Sequence, residues 1–314
     1  MAMTVEAVTK GIAREEWLQL RKRGIGGSDA AAVAGLNPWK SPVAVYLEKT
    51  GQLENDAAGE PAYWGNILED VVAKEFSIRT GLKVQRSNKL YRHPEHSFML
   101  GNIDRMITDQ NKRKGILEVK TTSAFNTEDW KDDKLPDHYA IQLQHYLSVL
   151  GLDYGFFAVL IGGNNFQYRY VERDERIISS LIDIEKQFWN EHVLKGIPPM
   201  IDGSDASTNL LNYLYPSSKP DTSINLPDDQ EGLIKELKES QDALKLAETR
   251  FETAKNLIKS MMEDAEIAYF KGDKIATWKS SDSASLDTKT LKAKKPEIYS
   301  EFAVTKSVRR FLVK

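Results

Sequence analysis

Apolar residues change their period several times before residue 200, and this rhythm decides which layers the chain can build. Residues 14–22, REEWLQLRK, follow a helical period. Ser28-Asp29 ahead of an Ala-rich run is a helix start, and Asn37-Pro38 is its stop. Ser41-Pro42 opens a second helix, Val43 to Thr50, closed by Gly51. Across 62–81, AYWGNILEDVVAKEFSIRTG, the residues Ile67, Leu68, Val71, Val72 and Phe76 predict a helix that buries the face they share. Strand periodicity then takes over in 82–92, 97–109 and 114–121. A helix returns with HYAIQLQHYLSVLG, residues 138–151, followed by a buried strand, YGFFAVLIGG, at 154–163. FQYRYVER reads as the hairpin partner of that strand, and a further helix spans 174–195. Helices and strands in this order predict an α/β fold, a mixed central sheet flanked by helices.

A different pattern follows a linker that holds Pro216, Pro220 and Pro227. From Leu233 to Ala268, positions alternate in steps of four and three, a heptad repeat with a thin seam of Leu, Ala, Ser, Phe, Ile and Met. It predicts a long helix over about 228–270, packed on its own domain or paired with another helix in a coiled coil. Residues 271–314 read as a small tail containing strands, with eleven Lys and Arg against five Asp and Glu, a local excess suited to phosphates. The expected domains are therefore 1–220 and an extension, 221–314.

Composition excludes several classes. The 314 residues form no run of the roughly 18–20 apolar residues that a membrane span needs. Met1 to Lys10 has no apolar h-region, so no secretory signal is expected. The absence of cysteine rules out disulfides and thiolate metal sites and fits a reducing interior, so the expected location is cytoplasmic. With a net charge of only −3, any basic surface must be local. The five histidines lack zinc spacing, and Gly24-Ile-Gly-Gly27 is neither a Walker nor a Rossmann loop. Trp39, Trp64 and Trp130 read as core or rim residues.

The chemistry concentrates in GNIDRMITDQNKRKGILEVKTT, residues 101–122. Alternation puts Glu118 and Lys120 on one face of a strand whose other face carries Leu117 and Val119. An exposed ion pair on an edge strand is the plain reading of Glu-x-Lys. Against it stand Asp104 at the end of the preceding strand, Glu69 on an apolar-rich helix and Gln142 on the helix that follows. Carboxylates converging at strand ends suit Mg²⁺, which prefers oxygen ligands. A lysine beside them can orient the attacking water or help deprotonate it.

The Asp104…Glu118-Val119-Lys120 arrangement resembles the PD-(D/E)xK nuclease pattern, a restriction-endonuclease-like fold. WLQLRKRGIGGSDAAAVAGLNPW is similar to the opening signature of the YqaJ viral recombinases, relatives of lambda exonuclease. WGNILED, with Glu69, resembles that family's helical glutamate motif, and HYAIQLQHYL resembles its Y-x-x-Q-x-Q-x-Y helix. The four motifs fall in the family order and cover about residues 17–200.

The resemblance implies Mg²⁺, with Mn²⁺ as a substitute, held by Asp104, Glu118 and the Val119 carbonyl, with Glu69 serving as a ligand or through water. It implies that Lys120 acts on the attacking water, that Gln142 and Tyr139 line the site, and that Arg21 and Ser28 hold a 5′-phosphate. Plain readings remain for these last two, since Ser28 can simply cap a helix and Arg21 can face solvent. The implied activity is digestion of one strand of linear double-stranded DNA from its 5′ end, leaving 3′ overhangs. Relatives act as trimeric rings beside a single-strand annealing protein of the RecT or Redβ kind, so an oligomer and such a partner are expected in a bacterial or phage-infected cell. Two departures are visible. The Asp104–Glu118 interval is longer than in lambda exonuclease, and TTSAFNTEDW lacks that relative's arginine. An endonuclease for internal or branched DNA, or a non-catalytic DNA-binding or assembly module, are the alternatives.

Overall fold

The structure, a computed structural model, describes residues 3–53, 59–304 and 309–313. The chain divides into two units, Met1–Leu214 and Tyr215–Lys314. The first begins with β1 (Thr4–Val8), α1 (Arg14–Arg21), α2 (Gly27–Val33), α3 (Pro42–Lys49) and α4 (Glu60–Thr80). Five strands follow, β2 (Lys83–Arg86), β3 (Lys89–Arg92), β4 (Leu100–Gly101), β5 (Arg105–Thr108) and β6 (Lys114–Thr122). Then come α5 (Asp137–Leu150), β7 (Tyr154–Ile161), β8 (Asn165–Glu172), α6 (Glu175–Gln187) and α7 (Asp205–Leu214).

The main sheet has the order β2-β5-β6-β7-β8, and only β6 and β7 are parallel. Parallel neighbours need a crossover, which α5 supplies. Ile116 and Phe157 pack toward Leu143 and Leu147 of α5, while Leu117, Val119 and Ala158 pack toward Val72, Ala73 and Phe76 of α4. Helices thus cover both faces, which explains why β7 is apolar throughout and why the centre of β6, Ile116, Leu117 and Val119, is apolar. The fold is the expected α/β type, a mixed sheet flanked by helices.

Several elements differ from expectation. The strands predicted at 82–92 and 97–109 are each broken, at Ser87-Asn88 and at Asn102 to Asp104. Their outer halves, β2 and β5, join the main sheet, whereas β3 and β4 join β1 in a separate three-stranded antiparallel sheet. Asp104 therefore sits where the chain passes from one sheet to the other. Ile67 and Val71 are 45% and 59% exposed. Successive helix residues turn by about 100°, so a face centred on Val72 and Phe76 leaves these two to the side. The 174–195 helix changes to a wider π turn over Phe188–Val193. Trp130 is buried, whereas Trp39 and Trp64 are exposed.

The second unit contains α8 (Glu231–Met262), the hairpin β9 (Ile267–Phe270) with β10 (Asp273–Thr277), α9 (Thr288–Lys294) and α10 (Pro296–Phe302). The long helix stops before the expected 270, because Glu263 adopts a left-handed φ of 46°. Ile267 to Phe270, rich in strand formers, then pairs with β10. Beyond Thr277 the described tail holds the two short helices α9 and α10 and otherwise irregular chain, where further strands were expected. Leu233, Leu244 and Phe251 of the heptad seam are exposed. No helix among the described residues is long and apolar enough to cross a membrane.

Candidate active site

Arg105 of β5 stands opposite Leu117 of β6, the last pair before β5 turns away. On that side, the Val119 N–H donates to Oδ2 of Asp104 (2.9 Å) instead of to a strand carbonyl. The Asp104 N–H in turn donates to Oε1 of Glu118 (3.2 Å). The other Glu118 oxygen, Oε2, accepts from Gln142 Nε2 at 2.9 Å and lies 3.5 Å from Lys120 Nζ. Lys120 Nζ is also 5.7 Å from the centre of the Tyr139 ring. Asp104, Glu118, Val119, Lys120, Gln142 and Tyr139 are thus gathered at one strand end.

The electrostatics follow from burial. Glu118 is almost fully buried, and burial first, then the charge of Asp104, push its carboxyl up to about 8 against the opposing pull of Lys120. Burial also works against the Lys120 ammonium, but the Glu118 and Asp104 carboxylates prevail and raise its pKa above the ordinary lysine range. Two carboxylates therefore share one nearby ammonium.

Glu69 is held apart from this pair. Its carboxylate binds Arg105, whose Nη1 also donates to the Asp104 carbonyl (2.8 Å), and Arg86 approaches to 3.3 Å. Nη2 of Arg105 binds Asp70 at 2.5 Å. Among the described residues no three His, Cys, Asp or Glu side chains gather as a metal-holding group.

A second cluster surrounds Arg21. Its Nη2 donates to Ser28 Oγ (3.4 Å) and lies 3.6 Å from Asp29 Oδ1. Asp29, fully buried, also binds Lys40 (2.8 Å) and Lys49 (2.6 Å), and Lys40 reaches Glu48 at 2.6 Å. Burial raises the Asp29 pKa, yet Lys40, Lys49 and Arg21 together outweigh it and hold the carboxyl well below the usual range. Three cations face two carboxylates, so the cluster keeps a positive balance. A cavity of about 90 Å³ opens here between Arg21, Gly27, Ser28, Asn102 and Tyr146. Gly27 is required by close approach, since a Cβ there would meet the Tyr146 ring at 2.5 Å. Tyr146 is in turn 3.5 Å from Gln142 Nε2, which joins this cavity to Glu118.

Comparison with known proteins adds the family. Residues 16–153 match the model of the YqaJ-like viral recombinase domain. The YqaJ protein of Bacillus subtilis strain 168, described as uncharacterized, is 42% identical over 99% of this chain and 97% of its own length. The chain belongs to the YqaJ family. Uncharacterized protein R354 of Acanthamoeba polyphaga mimivirus is 24% identical over 44% of this chain and 27% of its own length. Among solved structures, an alkaline exonuclease from Laribacter hongkongensis superposes with a TM-score of 0.48 at 19% identity, covering 58% of this chain and 94% of that one. A phage-related exonuclease from Haemophilus somnus gives 0.43 at 13% identity, covering 57% of this chain and 99% of that one.

The donor set of this YqaJ chain fits a hard divalent cation: the Asp104 and Glu118 carboxyls and the Val119 carbonyl would offer it oxygen donors, and Asp104 and Glu118 are brought together by the hydrogen bonds at the strand end. Glu69, engaged by two arginines, does not belong to that donor set as it stands. Sequence reading missed Arg105, Asp29, Lys40 and Lys49. An Asp beside alanines was a usable signal for Asp29, whereas Arg105, at the start of β5 next to Asp104, carried none. Nothing local announced the lysines, which converge only in three dimensions. It also missed the His145–Glu185 pair behind the site, where His145 Nδ1 meets Glu185 at 2.8 Å and Nε2 meets the Leu100 carbonyl at 2.9 Å. Both side chains are fully buried, and they tie α5 to α6 and β4.

Proposed function

We propose that this chain is a metal-dependent DNA exonuclease that degrades one strand of a linear duplex from its 5′ end and leaves a 3′ single-stranded overhang. The observation that carries the reading is the joint end of β5 and β6. There Asp104 and Glu118 are hydrogen-bonded to one another's chain segments, with Lys120 beside them on the same face. Membership in a family of viral recombinases agrees with work on DNA.

The Asp104 and Glu118 carboxylates and the Val119 carbonyl would hold Mg²⁺ or Mn²⁺, which supplies positive charge to a phosphate oxygen and eases formation of the nucleophile. Lys120, kept as an ammonium, donates hydrogen bonds that orient the attacking water and stabilise charge growing on the phosphate. Gln142 fixes Oε2 of Glu118 and so sets the direction of its other oxygen. Arg21 and Ser28 bind the terminal 5′-phosphate, for which a guanidinium is well shaped. Glu69 acts indirectly, by holding Arg105 against the Asp104 carbonyl. Residues 1–220 form the nuclease domain. The extension, 221–314, carries the contact with a single-strand annealing protein of the RecT or Redβ kind, and the nuclease works as an oligomer, a trimeric ring.

The test is digestion of linear duplexes with 5′-phosphate or 5′-hydroxyl ends beside a closed circle, using wild type and Lys120→Ala. Loss of the 5′-phosphorylated strand alone, absent in the variant, is expected. Nicking of the circle without end preference would replace this reading with an endonuclease. Retention of the annealing protein by a chain cut at residue 220 would remove the role given to the extension.

A further inference from the structure

Trp39 is a large aromatic side chain that the proposed chemistry leaves unused, and it is 66% exposed. Its position is nevertheless well determined. The backbone N–H groups of Trp39 and Lys40 both donate to Oδ1 of Asn37, at 2.8 and 3.1 Å, which fixes the turn. The indole meets the His138 ring edge-on, with centroids 4.8 Å apart. His138 lies 4.1 Å from the ring of Tyr139, and Lys120 Nζ lies over Tyr139. The next residue along the chain, Lys40, enters the Asp29 cluster that holds Arg21. One short turn thus links the strand end bearing Lys120 to the cationic pocket at Arg21, and it presents an indole between them.

We propose that Trp39 is a stacking platform for a nucleobase of an unpaired nucleotide at a frayed DNA end. Aromatic faces interleaved with cations are the usual means of holding single strands, because every base has a π-face and every nucleotide a phosphate. Lys40, Arg21 and Lys120 supply the cations on either side. The anchored turn and the His138 contact leave little rotamer freedom to lose on binding, so the stacking energy is largely retained. The inference rests on the nuclease reading and names the form of DNA that the site takes.

The experiment measures binding of the full chain to two short duplexes with chelator present. One has a mismatched, 2-aminopurine-labelled 5′ end, and the other is fully paired and closed by hairpins. Wild type should bind the frayed end more tightly and quench its 2-aminopurine. Trp39→Ala should weaken frayed-end binding by about 5- to 100-fold and abolish the quenching, while Trp39→Phe keeps most of both. Equal binding of the frayed end by wild type and Trp39→Ala overturns the platform, as does an equal loss on both duplexes. If wild type meanwhile digests linear DNA with Mg²⁺, the nuclease reading survives that result. Failure of wild type to bind either duplex overturns the platform, and only a failure to digest linear DNA with Mg²⁺ as well brings down both.

Discussion

The backbone N–H of Val119 donates to Oδ2 of Asp104 at 2.9 Å, at the point where β5 leaves β6. One carboxylate thereby completes the strand end and stands beside Glu118. The two duties separate by substitution. Asp104→Ala strands the Val119 N–H and should cost about 1–3 kcal/mol of stability. Asp104→Asn keeps an acceptor oxygen but loses the charge, so it should melt within about 1 kcal/mol of wild type while digestion of DNA is lost. Urea melts alongside a digestion assay decide it, and an Asn variant as active as wild type removes Asp104 from the chemistry.

Lys120 lies 3.5 Å from Glu118 and opposes the rise of that carboxyl's pKa. Lys120→Ala should lower digestion by about a hundredfold or more, as expected for loss of a positioned hydrogen-bond donor that stabilises growing charge. The fold should persist, since the side chain sits at the mouth of the site with a quarter of its surface open. A rate within threefold of wild type, measured on protein with an unchanged melt, contradicts the role assigned to Lys120.

How much of this was readable depends on the range of the interactions. The strand β6 and its Glu118–Lys120 face were legible because alternation is a local property. Asp104 and Gln142 were legible through motif resemblance, and the structure brings both against Glu118. The end of a strand at Asp104 was legible, but the change of sheet there was not, because distant partners and not local sequence decide which strands pair. Ile67 and Val71 share the helical period of Val72 and Phe76, and only the facing sheet decides which flank is covered. The Asp29 hub was illegible for another reason: its partners Lys40 and Lys49 lie 11 and 20 residues away, where no periodicity points.

His145 gives a pH prediction. Burial alone would lower its pKa, but Glu185 and the Leu100 carbonyl raise it above the ordinary value of 6.5. A raised folded-state pKa means that the charged form is favoured by folding. Its stabilisation is therefore complete below about pH 6.5 and is lost as pH rises through the folded value. Wild type should accordingly lose melting temperature above neutrality relative to Glu185→Gln, which is less stable at low pH and flatter with pH. Parallel melting curves from pH 5 to pH 9 would refute the charged pair.

Asp29 joins Arg21, Lys40 and Lys49 in a fully buried position, so its removal should be the most damaging change outside the strand end. Asp29→Asn leaves buried ammonium groups without their anion, and breaking such a group costs about 3–5 kcal/mol. The sign with pH is the reverse of that for His145. The Asp29 pKa is depressed in the fold, so its contribution is present above the unfolded value of about 3.9 and is lost as pH falls toward the lower folded value. The variant should lack that acid-side loss. Combining Asp29→Asn with Lys49→Met removes one stranded cation and should restore part of the stability, a coupling that a double-mutant cycle measures directly. Digestion adds an independent readout, because Arg21 would no longer be held beside Ser28: preference for 5′-phosphorylated over 5′-hydroxyl ends should shrink more than the overall rate. Additive single and double effects would show that Asp29 and Lys49 do not act as a pair, and an intact end preference would detach the cluster from the phosphate pocket.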